Sequence, residues 1–391
     1  MINQFGFVSE ETFAEKMDTQ NQFLAALVET QGGTMKPTSW ANVQALVRAG
    51  LHKKVFAIGD QLVCQKGSSN ITWDVIGIDH DIPADRRFTH SLTLQLHDCL
   101  PSIMQLDAPE ALYYAESGLS AGTYNFTIQS GYDETYGGGK TYQFTIEQAV
   151  PAKGQLTFGW AQNAQAVNAK INIYANATST TPVNAEPIEV TEGNSGTSLG
   201  TTDGTSTNLN HIHKVRYGSN NYGESAIRQF LNSSASAGSV WESRNKFDRP
   251  PLWNADTAGF MSDLDSDFLE VIGKSNKVTA LNSLTDGGGS VTLDDKFFLL
   301  SRSEVFGGDE VGTVDEGSAY PYYSNYSDLS AAGLSVDGGR TKYNGANAGT
   351  WWLRTPLTSS GYYLRYVDTT GRIGYYSAYI RLGIAPACNI I

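Results

Sequence analysis

Apolar positions change their spacing several times along this chain. Phe13, Met17, Gln20, Leu24 and Leu27 recur at intervals of 4-3-4-3. They follow Ser9 as an N-cap and precede Gly32-Gly33, which predicts a helix over residues 9–31. Its seam either lies on its own domain or pairs as a short oligomerising coil. A second helix is predicted from Ser39 to Gly50, with Trp40, Val43, Leu46 and Val47 on one face. The period then falls to two. Val55–Ile58 is strand-like, Ile71, Trp73 and Val75 alternate, and Leu92, Leu94 and Leu96 repeat the pattern. Alternation resumes at Tyr124, Phe126 and Ile128, at Tyr142, Phe144 and Ile146, and at Leu156, Phe158 and Trp160. Ile171 and Ile173, then Ile188 and Val190, extend it. Short strands divided by turn residues predict a small β-sandwich or barrel, fading into a Gly/Ser/Thr-rich loop at Thr191–Asn210.

Beyond residue 220 the texture changes again. Ile227, Phe230 and Leu231 form a helical stripe behind Ser225, and Leu264, Phe268, Val271 and Ile272 form another. Phe297–Leu300 reads as a short buried strand. The closing segment supplies strands at 351–354, 362–367, 372–376 and 383–388.

Composition narrows the picture. Charged residues are 17% of the chain, there are 40 glycines, and aromatics are 11%, which favours strands and turns over a helix bundle. A net charge of −13 opposes the phosphate neutralisation that nucleic-acid binding requires, so no nucleic-acid partner is expected. Three cysteines, Cys64, Cys99 and Cys388, are no disulfide framework and include no Cys-x-x-Cys pair. The first residues show neither the charged nor the apolar region of a signal peptide, and no apolar run is long enough to span a bilayer. The expectation is a chain without signal peptide or membrane span, made in a bacterial cytoplasm.

Six tyrosines crowd the last 30 residues. Tyrosine combines a large apolar face, a polar tip and few rotatable bonds, so it gives contact area at low entropic cost beside serine, glycine and arginine. Tyr362, Tyr363, Arg365, Tyr366, Asp368, Arg372, Tyr375, Tyr376, Ser377, Tyr379 and Arg381 are therefore the candidate ligand-binding residues. The alternative is that these are ordinary strand tyrosines, half buried in a glycine-rich sheet. Leu353, Val367, Ile373, Ile380, Ile384 and Ala387 are expected beneath them.

Three stretches carry a family resemblance: "NNYGESAIRQFLNS" with Trp241-Glu242 downstream, "DDKFFLLSRSEV", and Trp352-Leu353-Arg354-Thr355-Pro356 followed by Gly383-Ile384-Ala385-Pro386-Ala387. In that order they resemble the C-type-lectin fold related to formylglycine-generating enzymes, as used by variable proteins of diversity-generating retroelements. The resemblance reaches back to "FAIGDQL" and "ITWDVIGIDHD".

It implies an α+β, C-type lectin-like domain with an inserted all-β, sandwich-like domain. Residues 1–37 would be a helix for attachment or oligomerisation. Residues 38–115 and 206–391 would be the two parts of the lectin-like domain, interrupted by 116–205. Trp351, Trp352, Arg354, Gly383 and Pro386 would be scaffold under a variable face. The implied role is receptor binding on a phage tail or virion, recognising a host or target cell-surface protein or glycan, with a homotrimer built through the first helix. A bacterial or prophage surface adhesin is the alternative, and an enzyme of the formylglycine-generating type a third. No catalysis and no cofactor are expected, because Cys388 has no cysteine near it in sequence.

Other polar clusters are weaker. Asp79, His80, Asp81, Asp85, His90, His97 and Asp98 could hold a divalent ion or satisfy loop backbone. His211 and His213 share a strand face, though no acidic residue follows. Asp263, Asp265 and Asp267 alternate as in calcium loops but lack the glycine and glutamate such loops need, so they are expected to cap a helix. The calcium-dependent sugar motif is not met either. Trp253-Asn254-Ala255-Asp256 is one residue too long, and Glu186-Pro187 is followed by Ile188.

Overall fold

A computed structural model describes residues 37–108, the strands and adjoining turns between 113 and 190, and residues 218–308, 315–324 and 340–391, apart from positions 38, 245–247, 249 and 284. It also describes Lys16, Met17, Gln20 and Leu24, which are helical; the rest of the helix expected over 9–31 lies outside the described residues. Helix α1 (Trp40–Arg48) starts where the Ser39 side chain accepts the Asn42 N–H, and it buries Val43, Leu46 and Val47. The strand expected at Val55–Ile58 does not form. Val55 closes a helical turn, α2 (His52–Val55), in which Phe56 N–H donates to the His52 carbonyl at 2.8 Å. Antiparallel strands β1 (Gln61–Lys66), β2 (Ser69–Ile78) and β3 (Leu92–Leu96) follow, then the short β4 (Met104–Gln105).

The intervening region pairs with itself. β5 (Tyr113–Ala115) pairs with β8 (Gly154–Leu156), while β6 (Gly122–Ile128), β7 (Thr141–Ile146), β9 (Ala169–Tyr174) and β10 (Ile188–Val190) form a sheet ordered β10-β9-β6-β7. Tyr124, Ile146 and Ile173 are buried there. Phe158 and Trp160 lie outside the described residues.

The remainder returns to the first sheet. Helix α3 (Ala226–Leu231) is capped by Ser225, and α4 (Ser266–Val271) by Asp265. Leu264 precedes α4 and packs into the core, while Ile272 already belongs to β11 (Ile272–Gly273). A hairpin of β12 (Ser275–Ala280) and β13 (Ser290–Asp295) leads to β14 (Phe297–Phe298), α5 (Arg302–Phe306) and α6 (Pro321–Ser324). The last strands are β15 (Lys342–Asn344), β16 (Asn347–Gly349), β17 (Trp351–Pro356), β18 (Tyr363–Val367), β19 (Ile373–Ser377), β20 (Arg381–Leu382) and β21 (Ala387–Ile390). Of the strand expected over 383–388 only 387 and 388 form one, as the start of β21; residues 383–386, with Pro386, lie between β20 and β21.

The main sheet runs β1-β2-β3-β21-β11, with β14 also on β21. The last strand therefore inserts beside one of the first, pairing Cys388 with Leu94 and Ile390 with Leu92. Every residue of β3 and β21 is buried, as expected for strands covered on both faces. One core holds Trp73, Phe268, Phe297, Trp352, Leu364 and Cys388, and a second holds Phe298, Tyr320, Tyr323, Trp351, Leu353 and Val367. The fold is mixed α and β, with sheets predominating.

Candidate ligand-binding surface

The frame under the candidate face is β17. Its six residues are all buried, with Trp351 and Leu353 in one core and Trp352 in the other. Trp351 Nε1–H donates to the Arg340 carbonyl at 2.8 Å, and Trp352 Nε1–H to the Met104 carbonyl at 3.2 Å. Arg354 reaches the carbonyls of Leu299, Val278 and Glu316 and the Glu304 carboxylate. Gly383 is needed for close approach. A Cβ there would stand 2.6 Å from Cys99 Sγ and 2.8 Å from the Thr350 carbonyl oxygen. Gly383 N–H donates to that same carbonyl at 2.7 Å, and the Pro386 carbonyl accepts Leu96 N–H at 2.9 Å. Of the residues expected as scaffold, Trp351, Trp352 and Arg354 lie in β17, Gly383 bonds Thr350 just before it, and Pro386 bonds β3.

β18 and β19 extend outward from it as an antiparallel pair. The register Tyr363↔Ser377, Arg365↔Tyr375, Val367↔Ile373 places these six residues on one face, that of Trp351 and Leu353. Tyr366↔Gly374 and Leu364↔Tyr376 occupy the other, that of Trp352. The candidate tyrosines are therefore divided between two sides of a fin. On one side the Tyr363 and Tyr375 rings lie 5.0 Å apart, with the Arg365 guanidinium 5.6 Å from the Tyr375 ring centroid. On the other, Tyr366 lies 6.2 Å from Tyr376 and edge-on to Trp352 at 6.5 Å. Tyr375 is 51% exposed and Tyr376 46%.

Burial removes two members of the expected patch. Tyr362 is 3% exposed and Ser377 6%. The Tyr362 carbonyl closes the strand pair by accepting Ala378 N–H, its ring packs 4.2 Å from Tyr363, and the Ser377 carbonyl accepts Ile380 N–H. Tyr363, Arg365, Tyr366, Asp368, Arg372 and Tyr379 are half-buried, and Arg381 is exposed. Asp368 serves its own turn. Its Oδ1 accepts the N–H groups of Thr370 and Arg372 and the Thr370 hydroxyl.

Tyr366 lies flat against Gly374, where a Cβ would be 2.5 Å from Cζ of the ring. Burial, then Asp368, pushes its phenol above the usual range. Gly374→Ala is thus expected to move the Tyr366 ring while leaving Tm within about 4 °C, since only the tip of a flexible side chain must give. Tyr366 ring proton shifts and a thermal melt check this; a collapse of Tm would place Gly374 in the fold's support instead.

The polar cluster near residues 79–98 resolves into separate contacts. Asp79, at φ 51°, is the sole non-glycine with positive φ among the described residues. Its Oδ1 accepts Ser91 N–H and lies 3.0 Å from both His90 Nδ1 and His52 Nε2. His97 Nδ1–H donates to the buried Asp74 at 2.9 Å. Asp81 meets Lys277 inside the core, Asp98 accepts Tyr343 N–H, and Asp85, held at about 2 by Arg87, pairs with that arginine at 2.5 Å. His80 lies 3.1 Å from the Ser318 carbonyl. Among the described residues no three His, Cys, Asp or Glu side chains are grouped to hold a metal. His211 and His213 fall outside them. Asp263 pairs with Lys66, and Asp265 accepts the N–H groups of Asp267 and Phe268 at the start of α4.

All three cysteines are buried and unpaired as disulfides. Burial pushes Cys64 up to about 11, Cys99 up to about 12 and Cys388 well above its usual value. None is set up as a thiolate nucleophile. Sequence reasoning did not find His52 as a partner of Asp79, nor Lys277, Glu304 and Glu316 around Arg354. These contacts join distant segments, and no local spacing announces them.

Among the described residues no helix is long and apolar enough to cross a membrane. No curated protein and no solved structure matches the chain. Residues 195–391, half of the chain and the part that carries β11–β21, match a family described as Domain of unknown function (DUF6273). The chain belongs to that family.

Proposed function

We propose that this chain is a ligand-binding protein. Its contact surface is the fin of β18 and β19, presented on a C-type lectin-like scaffold. The observation that carries the reading is one juxtaposition: two neighbouring tyrosines, each about half exposed, standing on strands anchored to wholly buried Trp351, Trp352 and Arg354. Large rings at such exposure on a rigid base are the residues that dominate recognition surfaces. Display on a phage tail or virion for host-surface recognition is the setting we favour; a bacterial surface adhesin would use the same face. The buried, high-pKa cysteines weigh against thiol chemistry of the formylglycine-generating kind.

The test is binding of the full chain to a panel of bacterial cells by flow cytometry. Tyr375→Ala with Tyr376→Ala is expected to weaken binding at least thirtyfold, about 2 kcal/mol, with Tm changed by no more than about 2 °C. Unaltered binding would reject the surface, and a large fall in Tm would assign the rings to the core.

A further inference from the structure

Asp79 brings two imidazoles to one oxygen. Its Oδ1 lies 3.0 Å from His52 Nε2, on α2, and 3.0 Å from His90 Nδ1, before β3; the two rings meet edge-on with centroids 5.7 Å apart. Backbone geometry aims the carboxylate. Asp79 holds φ 51°, its N–H donates to the Ser91 carbonyl at 2.8 Å, and Oδ1 accepts Ser91 N–H at 3.2 Å. Gly50 closes the other side of His90: a Cβ there would stand 2.8 Å from His90 Nε2.

His52 is the group that this arrangement leaves unexplained. Its side chain is wholly buried, yet neither ring nitrogen completes a hydrogen bond. Nε2 is close to Asp79 without bonding geometry, and Nδ1 has no partner among the described residues. A neutral ring there leaves one acceptor nitrogen dry. A protonated ring leaves a charged donor at Nδ1 with nothing to accept it, which costs far more. The turn that carries His52 is short enough to respond. α2 is a single turn, held by Lys54 N–H on the Leu51 carbonyl and Phe56 N–H on the His52 carbonyl. Units of that size open locally at far lower cost than global unfolding. Leu51, beside it, packs with Leu46 of α1 and with Leu24.

We propose that His52, His90 and Asp79 form an acid-released latch. With His52 neutral, the latch seats α2 and Leu51 against α1; a proton from solvent on His52 frees that turn and loosens the seat of Leu24. The latch lies on other elements than the β18–β19 fin and acts whatever that fin binds. The charged and titratable neighbours of His52 are Asp79 and His90, Lys53 and Lys54 on its own turn, and Arg48 at the end of α1, whose guanidinium lies 4.6 Å from the Phe88 ring centroid. Burial lowers the His52 imidazole below 6.5; the Asp79 charge opposes this, and the His90 and Lys53 charges add to it. Burial also opposes ionisation of Asp79, but Ser91 N–H and the two imidazoles override it and hold that carboxyl below 3.8, so it stays ionised throughout. The closed turn therefore takes a proton less readily than the open one. Its closure is complete above pH 6.5 and is lost as pH falls from there toward the lowered value.

Amide hydrogen exchange of the full chain, read by mass spectrometry and corrected for intrinsic rates, compares pH 7.5 with pH 5.5. Protection of a peptide spanning Leu51–Phe56 is expected to fall at least about fivefold at pH 5.5, while β3 and β21 keep theirs. His52→Leu, which fills the site and takes no proton, should show the same protection at both pH values. The parent's ring nitrogens supply a second readout. In nitrogen NMR spectra the His52 signals should turn to those of an imidazolium over the range in which protection is lost. Equal protection of the parent at the two pH values overturns the proposal. So does an acid response that survives in His52→Leu, or an imidazolium formed at His52 while the turn stays closed. If His52→Leu does not fold, the ring titration set against exchange decides alone.

Discussion

Arg354→Met is expected to destabilise the chain by about 3–5 kcal/mol, the cost of breaking a buried ion pair from one side. Arg354 is wholly buried. Its Nη1 donates to the Leu299 carbonyl at 2.8 Å and to Glu304 Oε2 at 2.5 Å, and its Nη2 to the carbonyls of Val278 at 3.2 Å and Glu316 at 3.0 Å. One planar fork thus ties together β12, the end of β14, α5 and the segment before α6. Methionine fills much of the volume but donates nothing, so three carbonyls lose a donor. Glu304 would keep Lys277 at 3.1 Å and the Ser301 N–H of its capping box, too little to replace a guanidinium. Arg354→Lys should recover less than half the loss, because an ammonium cannot span the same acceptors. Exposed Arg381 is the control, and its alanine variant should change stability by less than about 0.5 kcal/mol. Urea midpoints at constant m decide the matter. A loss below about 1 kcal/mol for Arg354→Met would mean that the fork does not organise the domain.

This arginine marks the boundary of what could be read in advance. The Trp-Leu-Arg-Thr-Pro stretch was legible as frame through the family resemblance it carries, not through period two, since Trp351, Trp352 and Leu353 are consecutive apolar residues. The burial of Trp73, Leu92, Leu94 and Leu96, by contrast, followed from period two. What the arginine binds was not legible. Its partners lie 38 to 76 residues away in sequence, and hydrogen bonds of that separation leave no periodic trace. Val55 failed for a related reason: β-branching favours a strand, yet the chain closes one helical turn there around buried His52. The tyrosine cluster was visible as composition but not as geometry. That Tyr375 and Tyr376 face opposite sides follows from period two once they share a strand, but that Tyr362 and Ser377, adjoining the exposed residues, are buried follows from packing alone.

The same buried cluster should make the fold acid-labile, with one member pulling the other way. Burial opposes ionisation of Asp81, but Lys277, Asn389 and Tyr320 together hold its carboxyl below the usual value of 3.8. Burial likewise opposes Glu304, and Arg354 and Lys277 override it, keeping it below 4.5. For both, the unfolded chain binds protons more readily than the folded one. Their contribution is complete above the ordinary carboxylate range and is lost as pH falls through the depressed folded values. Glu316 is the reverse. Burial raises its carboxyl above 4.5, only partly countered by Arg354 and by donation from Thr355 and Ala280 N–H. Here the folded chain holds the proton more tightly, so a penalty grows as pH rises from 4.5 toward the folded value. Glu316→Gln keeps an acceptor for Ala280 N–H and offers Thr355 a donor without any charge. Its urea midpoint relative to the parent should therefore rise between pH 4.5 and pH 7, and the advantage should vanish below pH 4, where both side chains are neutral. Asp81→Asn should flatten the parent's loss below pH 4 but reduce stability at pH 7 by about 3 kcal/mol or more, by leaving Lys277 short of its closer carboxylate. A Glu316→Gln midpoint that falls below the parent's at pH 7 by an amount independent of pH would show the folded chain carrying an ionised Glu316. In that case the cluster holds one more negative charge than its two cations balance.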